Sequence, residues 1–184
     1  LIVYIHGGPY GIRDYDSYDF SEQYLASKGA AILKVNYRGS GGYGTDFMED
    51  AFQEWGGRLL NDIADATKAV QKELSIGREQ TCAFGASYGG YAALAMAYKY
   101  SELYECVAGG MGVYDMLILR DGTDDSIYTT QDNYEEIAKK HWGDNRDVLI
   151  DFSPVFNADK MQSRILMWHG LQDPISPIVH MDLM

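Results

Sequence analysis

The sequence predicts an α/β fold, a mostly parallel sheet with helices on both faces, in one unit spanning residues 1–184. Three observations predict it. Five short apolar runs, at residues 1–6, 30–36, 80–84, 103–108 and 164–169, are continuous rather than alternating, as strands covered on both faces require. Helix-period stretches separate them, and such alternation folds through right-handed crossovers into a parallel sheet. Four of the runs end in conspicuous glycine-bearing motifs, at the carboxyl ends of strands where an open parallel sheet forms its ligand crevice.

The first run, Leu1-Ile2-Val3-Tyr4-Ile5, has no basic region before it and no cleavage pattern after it, so it reads as a core strand and not as a signal peptide. It ends on His6-Gly7-Gly8-Pro9. A helix is expected over residues 20–28, with Gly29 as its left-handed terminator. The second run leads into Asn36-Tyr37-Arg38-Gly39-Ser40-Gly41-Gly42-Tyr43-Gly44. That loop lacks the Lys-Ser/Thr ending of a phosphate cradle and reads as a glycine-rich active-site wall. The clearest helix covers residues 59–74, where Leu59, Ile63, Ala66, Val70 and Leu74 share one face and Gly77 follows as a stop.

The third run meets Gly85-Ala86-Ser87-Tyr88-Gly89, and a helix over 88–100 follows. After the fourth run the pattern loosens between residues 111 and 160, with one short helix near 133–140, as in an excursion that shapes a pocket. Its Met111, Tyr114, Met116, Tyr128, Tyr134 and Trp142 suit an apolar pocket or an ordinary core equally; Tyr114 and Trp142 are the pocket residues named here. The last run ends on His169-Gly170-Leu171-Gln172-Asp173-Pro174. No internal repeat, low-complexity tract or linker divides the chain.

Composition narrows the function. With 27 acidic against 15 basic residues the chain carries a net charge of −12, which repels phosphate backbones and anionic lipid, so neither nucleic acid nor a membrane is an expected partner. No apolar run approaches the roughly 18 residues of a membrane helix. The acidic clusters Asp14, Asp16, Asp19 and Asp121, Asp124, Asp125 read as solvated loop charge, and no metal or other cofactor is implied. Cys82 and Cys106 lie in apolar runs without C-x-x-C spacing and are expected to be two buried free thiols, with no disulfide framework.

The chemistry centres on Ser87. In G-x-S-x-G a strand turns so sharply into a helix that the serine takes a strained backbone conformation, and only small neighbours avoid a clash. Chance alone yields that motif in roughly one of eight sequences of this composition, so the other strand ends decide its weight. Gly8, in the turn after the first strand, and Tyr88, at a helix N-terminus, are placed to offer backbone N–H groups to an oxyanion. Asp173 occupies the place of the acid, which follows the serine in hydrolases of this order. His6 precedes the nucleophile at a strand end and is expected to be structural.

At these residues the chain resembles the catalytic domain of the prolyl oligopeptidase family of serine peptidases, particularly its acylaminoacyl peptidase and dipeptidyl aminopeptidase branches. The match is collinear: His6-Gly7-Gly8-Pro9, Asn36 to Ser40 with Gly42-Tyr43-Gly44, Trp55-Gly56-Gly57, Asp62, Gly85 to Gly90, Ser153-Pro154, and His169-Gly170 with Asp173 and Pro177. The resemblance implies an α/β-hydrolase fold, with Ser87 as nucleophile, Asp173 orienting a histidine, and Gly8 and Tyr88 forming the oxyanion hole. It implies short peptide substrates and leaves room for a homo-oligomer. Relative to that pattern the chain is expected to be a fragment: it lacks the sheet's opening strands, its last strand and helix, and any propeller domain. The family's catalytic histidine is expected beyond Met184, because His180 stands only seven positions after Asp173. Two other readings remain open, a carboxylesterase of the same fold and a non-catalytic binding scaffold.

Overall fold

A computed structural model describes all 184 residues, and its sheet runs in the order β2-β1-β3-β4-β5 with every neighbouring pair parallel. In chain order the elements are β1 (Ile2–Ile5), α1 (Phe20–Ser27), β2 (Ile32–Lys34), α2 (Thr45–Glu49), α3 (Arg58–Leu74), β3 (Cys82–Ala86), α4 (Tyr88–Lys99) and β4 (Cys106–Gly110). There follow α5 (Met116–Asp121), α6 (Tyr134–Trp142), α7 (Arg146–Phe152), β5 (Arg164–Trp168) and α8 (Val179–Asp182). Every strand expected from the sequence is present. Helices α2, α5, α7 and α8 are additional; they span four to seven residues, too short for a periodic apolar face to stand out.

The sheet's two faces differ sharply, which corrects the expectation that the strands are covered on both. Val3, Ile5, Ala83 and Val107 point at α4 and are buried. The alternate positions Ile2, Tyr4, Cys82, Phe84, Cys106 and Ala108 are only half-buried, and Leu166 on the same face is exposed. Helix α1 lies on that side and buries none of its own residues. The register sets Cys82 directly opposite Cys106, with Cα atoms 4.6 Å apart, and the two form a disulfide. They are therefore half-buried and bonded, not buried free thiols. Long-range strand register decides this, and local spacing cannot show it.

Helix α3 begins and ends near its expected bounds, but its buried stripe swings from Leu59 and Ile63 to Thr67 and Gln71, leaving Leu74 exposed. Both polar residues are satisfied: Gln71 Nε2 donates to Thr81 Oγ1 and to the Leu103 carbonyl, each at 2.9 Å, and Thr67 Oγ1 donates to the Ile63 carbonyl at 2.8 Å. Ser75, at φ 55°, terminates the helix in place of Gly77. Helix α4 is buried along most of its length by a run of alanines, which lets it approach the centre of the sheet closely.

Candidate active site

Between β3 and α4 the chain reverses within one residue, and Ser87 sits there at φ 58°, ψ −127°. A non-glycine residue in that region costs on the order of 1–3 kcal/mol and persists only where its surroundings enforce it. The enforcement is visible. A Cβ on Gly89 would lie 2.0 Å from the Ile5 carbonyl oxygen, and one on Gly85 would lie 2.5 Å from the backbone of Gly89. The Ser87 N–H donates to the Gly110 carbonyl at 2.9 Å, fixing the turn to β4. Tyr88 opens α4, so its N–H has no partner within the helix and lies at the positive end of the helix dipole.

The turn after β1 lies against this elbow: a Cβ on Gly7 would be 3.4 Å from the Ser87 Cβ and 3.8 Å from its Oγ. Gly8 follows at φ 121° and borders the same pocket as Ser87 and Tyr88. His6 holds the turn in place. Its Nδ1–H donates to the Gly7 carbonyl at 2.7 Å, and its Nε2, 3.0 Å from Ser40 Oγ, accepts from that hydroxyl. Tyr37 stacks on the ring at 4.3 Å between centroids and donates its hydroxyl to the His6 carbonyl at 2.7 Å. Burial pushes the His6 pKa down, partly offset by the Gly7 bond and the charge of Asp14, so the ring stays neutral with both nitrogens engaged. It is a brace, as its sequence position suggests.

The glycine-rich loop after β2 has the same job and does not form a pocket wall. Tyr37 and Ser40 secure His6, and Arg38 makes a bidentate pair with Asp62, both bonds 2.7 Å, that ties the loop to α3. Gly41 presses on the Gly11 carbonyl, leaving 2.3 Å for a Cβ.

The pocket itself encloses about 280 Å³. It is lined by Gly8, Ser87 and Tyr88, by Tyr10, Trp55 and His141, and by Tyr128, Tyr134, Ile137 and Trp142. Trp142 lies where the sequence suggests. Tyr114 does not: it is fully buried in the core, as is Met116. Tyr10, Trp55 and His141 come from three separate segments, joined by a bond of 3.0 Å from Trp55 Nε1 to Tyr10 Oη and one of 3.2 Å from Tyr10 Oη to the His141 carbonyl. No local pattern marks them as neighbours. Burial lowers the His141 pKa, with Lys140 adding to the shift, so this wall is uncharged at neutral pH.

Arg120 fastens the outer wall. Its guanidinium reaches Glu135 on α6 through bonds of 2.7 and 3.0 Å, the Gly143 carbonyl at 2.9 Å and the Asp144 carboxylate, and so ties α5, α6 and the turn after α6 together. Those bonds raise the Arg120 pKa and lower those of Glu135 and Asp144.

Asp173 stands in the turn after β5, half-buried. Its Oδ1 accepts from the Ile175 and Ser176 N–H groups at 2.9 and 3.0 Å, leaving Oδ2 unengaged. The His169 Nε2–H donates to the Ser176 carbonyl at 2.5 Å and closes the same turn. Ile175 and Ser176 reach the pocket while Asp173 lies just outside its lining. His180 is fully buried, with Nε2 3.3 Å from Asp124 Oδ2 and Nδ1 accepting from the Asp115 N–H at 3.4 Å. Asp124 is therefore a buried partner and not solvated loop charge.

Known proteins resemble this chain over nearly its whole length. The chain is 31% identical over 183 residues to dipeptidyl aminopeptidase BIII of Pseudoxanthomonas mexicana, covering 95% of this chain and 25% of that protein. Among solved structures, puromycin hydrolase superposes with a TM-score of 0.85 at 27% identity, over 98% of this chain and 27% of its own. The acylaminoacyl peptidase of Pyrococcus horikoshii gives 0.83 at 28% identity, over 97% and 28%. The chain thus spans about a quarter of the length of the relatives it matches. Its α/β-hydrolase fold is that of these enzymes, and residues 16–182 match the model of the prolyl oligopeptidase family, so the chain belongs to that family.

Proposed function

We propose that this chain carries most of the catalytic site of a serine peptidase that cleaves short peptides through an acyl-enzyme. The observation that carries the reading is Ser87, held in a strained elbow against the Gly7-Gly8 turn and opening onto an apolar pocket. In this reading the Ser87 hydroxyl attacks the scissile carbonyl and gives its proton to a histidine, while the Gly8 and Tyr88 N–H groups receive the oxyanion. The protonated histidine then donates to the departing amine, and water releases the acyl group by the same route in reverse. Asp173 orients the histidine through its free Oδ2.

No histidine of this chain is hydrogen-bonded to Ser87: His6 holds the turn after β1, the His141 ring packs against Tyr10 in the pocket wall, His169 donates to the Ser176 carbonyl and His180 pairs with Asp124. In this reading the proton acceptor is a histidine beyond these residues, as the family resemblance implies. The apolar pocket receives the side chain preceding the scissile bond, and self-association belongs to the whole protein.

The test uses the full-length protein. Aminoacyl-nitroanilides and nitrophenyl esters are compared by kcat/KM, with fluorophosphonate labelling alongside and Ser87→Ala expected to lower kcat by about 10⁶-fold. Turnover of esters alone makes the protein an esterase, and a full-length protein that takes no label is a scaffold.

A further inference from the structure

The reaction as written uses neither His180 nor Asp124, yet both are fully buried, at 0% and 1% exposure. Burying such a pair is expensive, and a well-packed apolar pair in its place is often as stable or more so, so stability alone is a weak reason to keep it. Its position suggests another reason. Asp124 begins the segment that carries Tyr128 and Gln131 into the pocket, and its Oδ1 accepts from the Ser126 N–H at 3.1 Å. His180 anchors α8, the helix that follows the Asp173 turn and its pocket residues Ile175 and Ser176. Between the two segments the Ile127 N–H donates to the Pro174 carbonyl at 2.8 Å.

The hydrogen bonds also fix the ring's chemistry. Because the Asp115 N–H occupies Nδ1, the neutral ring carries its proton on Nε2 and donates it to Asp124. Asp115 in turn caps α5 through its Oδ1, which accepts from the Leu117 and Ile118 N–H groups. One imidazole thus joins the start of α5, the outer pocket segment and the helix behind the acid turn.

We propose that His180 and Asp124 form a positioning clasp that sets the spacing between the Asp173 turn and the aromatic pocket wall, and so determines how well the enzyme accepts a bulky apolar side chain before the scissile bond. The proposal rests on the peptidase reading for its substrate. Neither residue touches substrate; both act through Tyr128, Gln131, Ile175 and Ser176.

The experiment measures full-length enzyme on phenylalanyl- and alanyl-nitroanilides. His180→Leu is expected to raise KM for the phenylalanyl substrate about tenfold, with kcat and the alanyl KM within about threefold. His180→Gln, which keeps a donor for Asp124 and an acceptor for Asp115, restores the wild-type KM within about twofold. The double variant His180→Leu/Asp124→Leu removes the buried carboxylate that His180→Leu leaves unpaired and is expected to melt above that single variant while keeping the raised KM. A double variant that melts normally and regains the wild-type KM overturns the clasp, as does an equal loss on both substrates. Binding of N-acetylphenylalaninamide to Ser87→Ala protein, with and without His180→Leu, separates the two readings. A wild-type protein inert on both nitroanilides whose ligand affinity still falls tenfold sinks the peptidase and keeps the clasp. An affinity unchanged by His180→Leu sinks the clasp alone.

Discussion

The elbow and the pocket wall are built by opposite means. Around Ser87 the shape is dictated by backbone: β1, β3, β4 and α4 approach so closely that Gly85, Gly89 and Gly90 have no room for a Cβ, which on Gly90 would lie 2.3 Å from the Gly110 carbonyl oxygen. Between residues 111 and 150 the shape is dictated by side chains, above all Arg120 reaching across 15 and 24 residues to Glu135 and Asp144. A site dictated by backbone tolerates almost no change in residue type. A wall dictated by side chains can be re-shaped while the elbow stays intact, which suits one reaction served by many specificities.

The sharpest way to break that contrast is at the elbow. Gly89→Ala forces a Cβ onto the Ile5 carbonyl and is expected to cost more than about 3 kcal/mol, beyond ordinary overpacking, and to abolish fluorophosphonate labelling of the full-length protein. Gly11→Ala is the control. Gly11, unlike the helical Gly89, has positive φ, 74°, but nothing lies within 4 Å of its Cβ position, so the substitution pays only the left-handed cost of about 1–2 kcal/mol. Melting temperature and labelling distinguish them; a loss at Gly89→Ala no larger than that at Gly11→Ala would show that close approach does not enforce the elbow.

The same contrast explains what the sequence discloses. The elbow and the Gly7-Gly8 turn beside it are legible because each is a short run at a strand end whose glycines answer a local demand, close approach at Gly85 and Gly89 and positive φ at Gly8, whereas Asp173 is marked only by its place after the last strand. All five strands are legible for a similar reason, since each is a compact apolar run. The pocket wall is not: Tyr114 and Tyr134 look alike along the chain, yet one is buried in the core and the other lines the pocket. Nor is the Cys82–Cys106 bond, which depends on β3 and β4 being neighbours in register. Thr67, Gln71 and Asp124 escape a reading based on polarity because each buries its polar atoms against partners distant in sequence.

A medium effect sharpens the other half of the comparison. Arg120→Met keeps the buried stem and removes the fork that joins α5 to α6 and to the following turn. Glu135 and Asp144 are left largely in water, so the fold should survive. The expected result is a KM for an aromatic substrate raised roughly tenfold, with labelling of Ser87 by a small fluorophosphonate changed far less. Parallel losses in both would mean that the wall and the elbow are not separable.

The smallest effect reads both regions at once, since the elbow holds the buried His6 and the wall the half-buried His141. Burial lowers the pKa of His6 and of His141 from the ordinary 6.5. The unfolded chain therefore takes up these protons at higher pH than the folded one, and stability rises with pH across the interval between the folded and unfolded values. The contribution is complete above about pH 6.5 and is lost as the pH falls from there toward the folded-state values. In the full-length protein, melting temperature should decline between pH 7 and pH 5, and His141→Gln should make that decline shallower. His141 carries this test because its ring lies between Tyr10 and Phe52, at 4.7 and 4.9 Å between centroids, so glutamine can be accommodated at the wall without disturbing the oxyanion turn that His6 holds. A slope unchanged by His141→Gln would place the acid sensitivity at the elbow, where protonating His6 gives Nε2 a proton and removes the acceptor that the Ser40 hydroxyl uses.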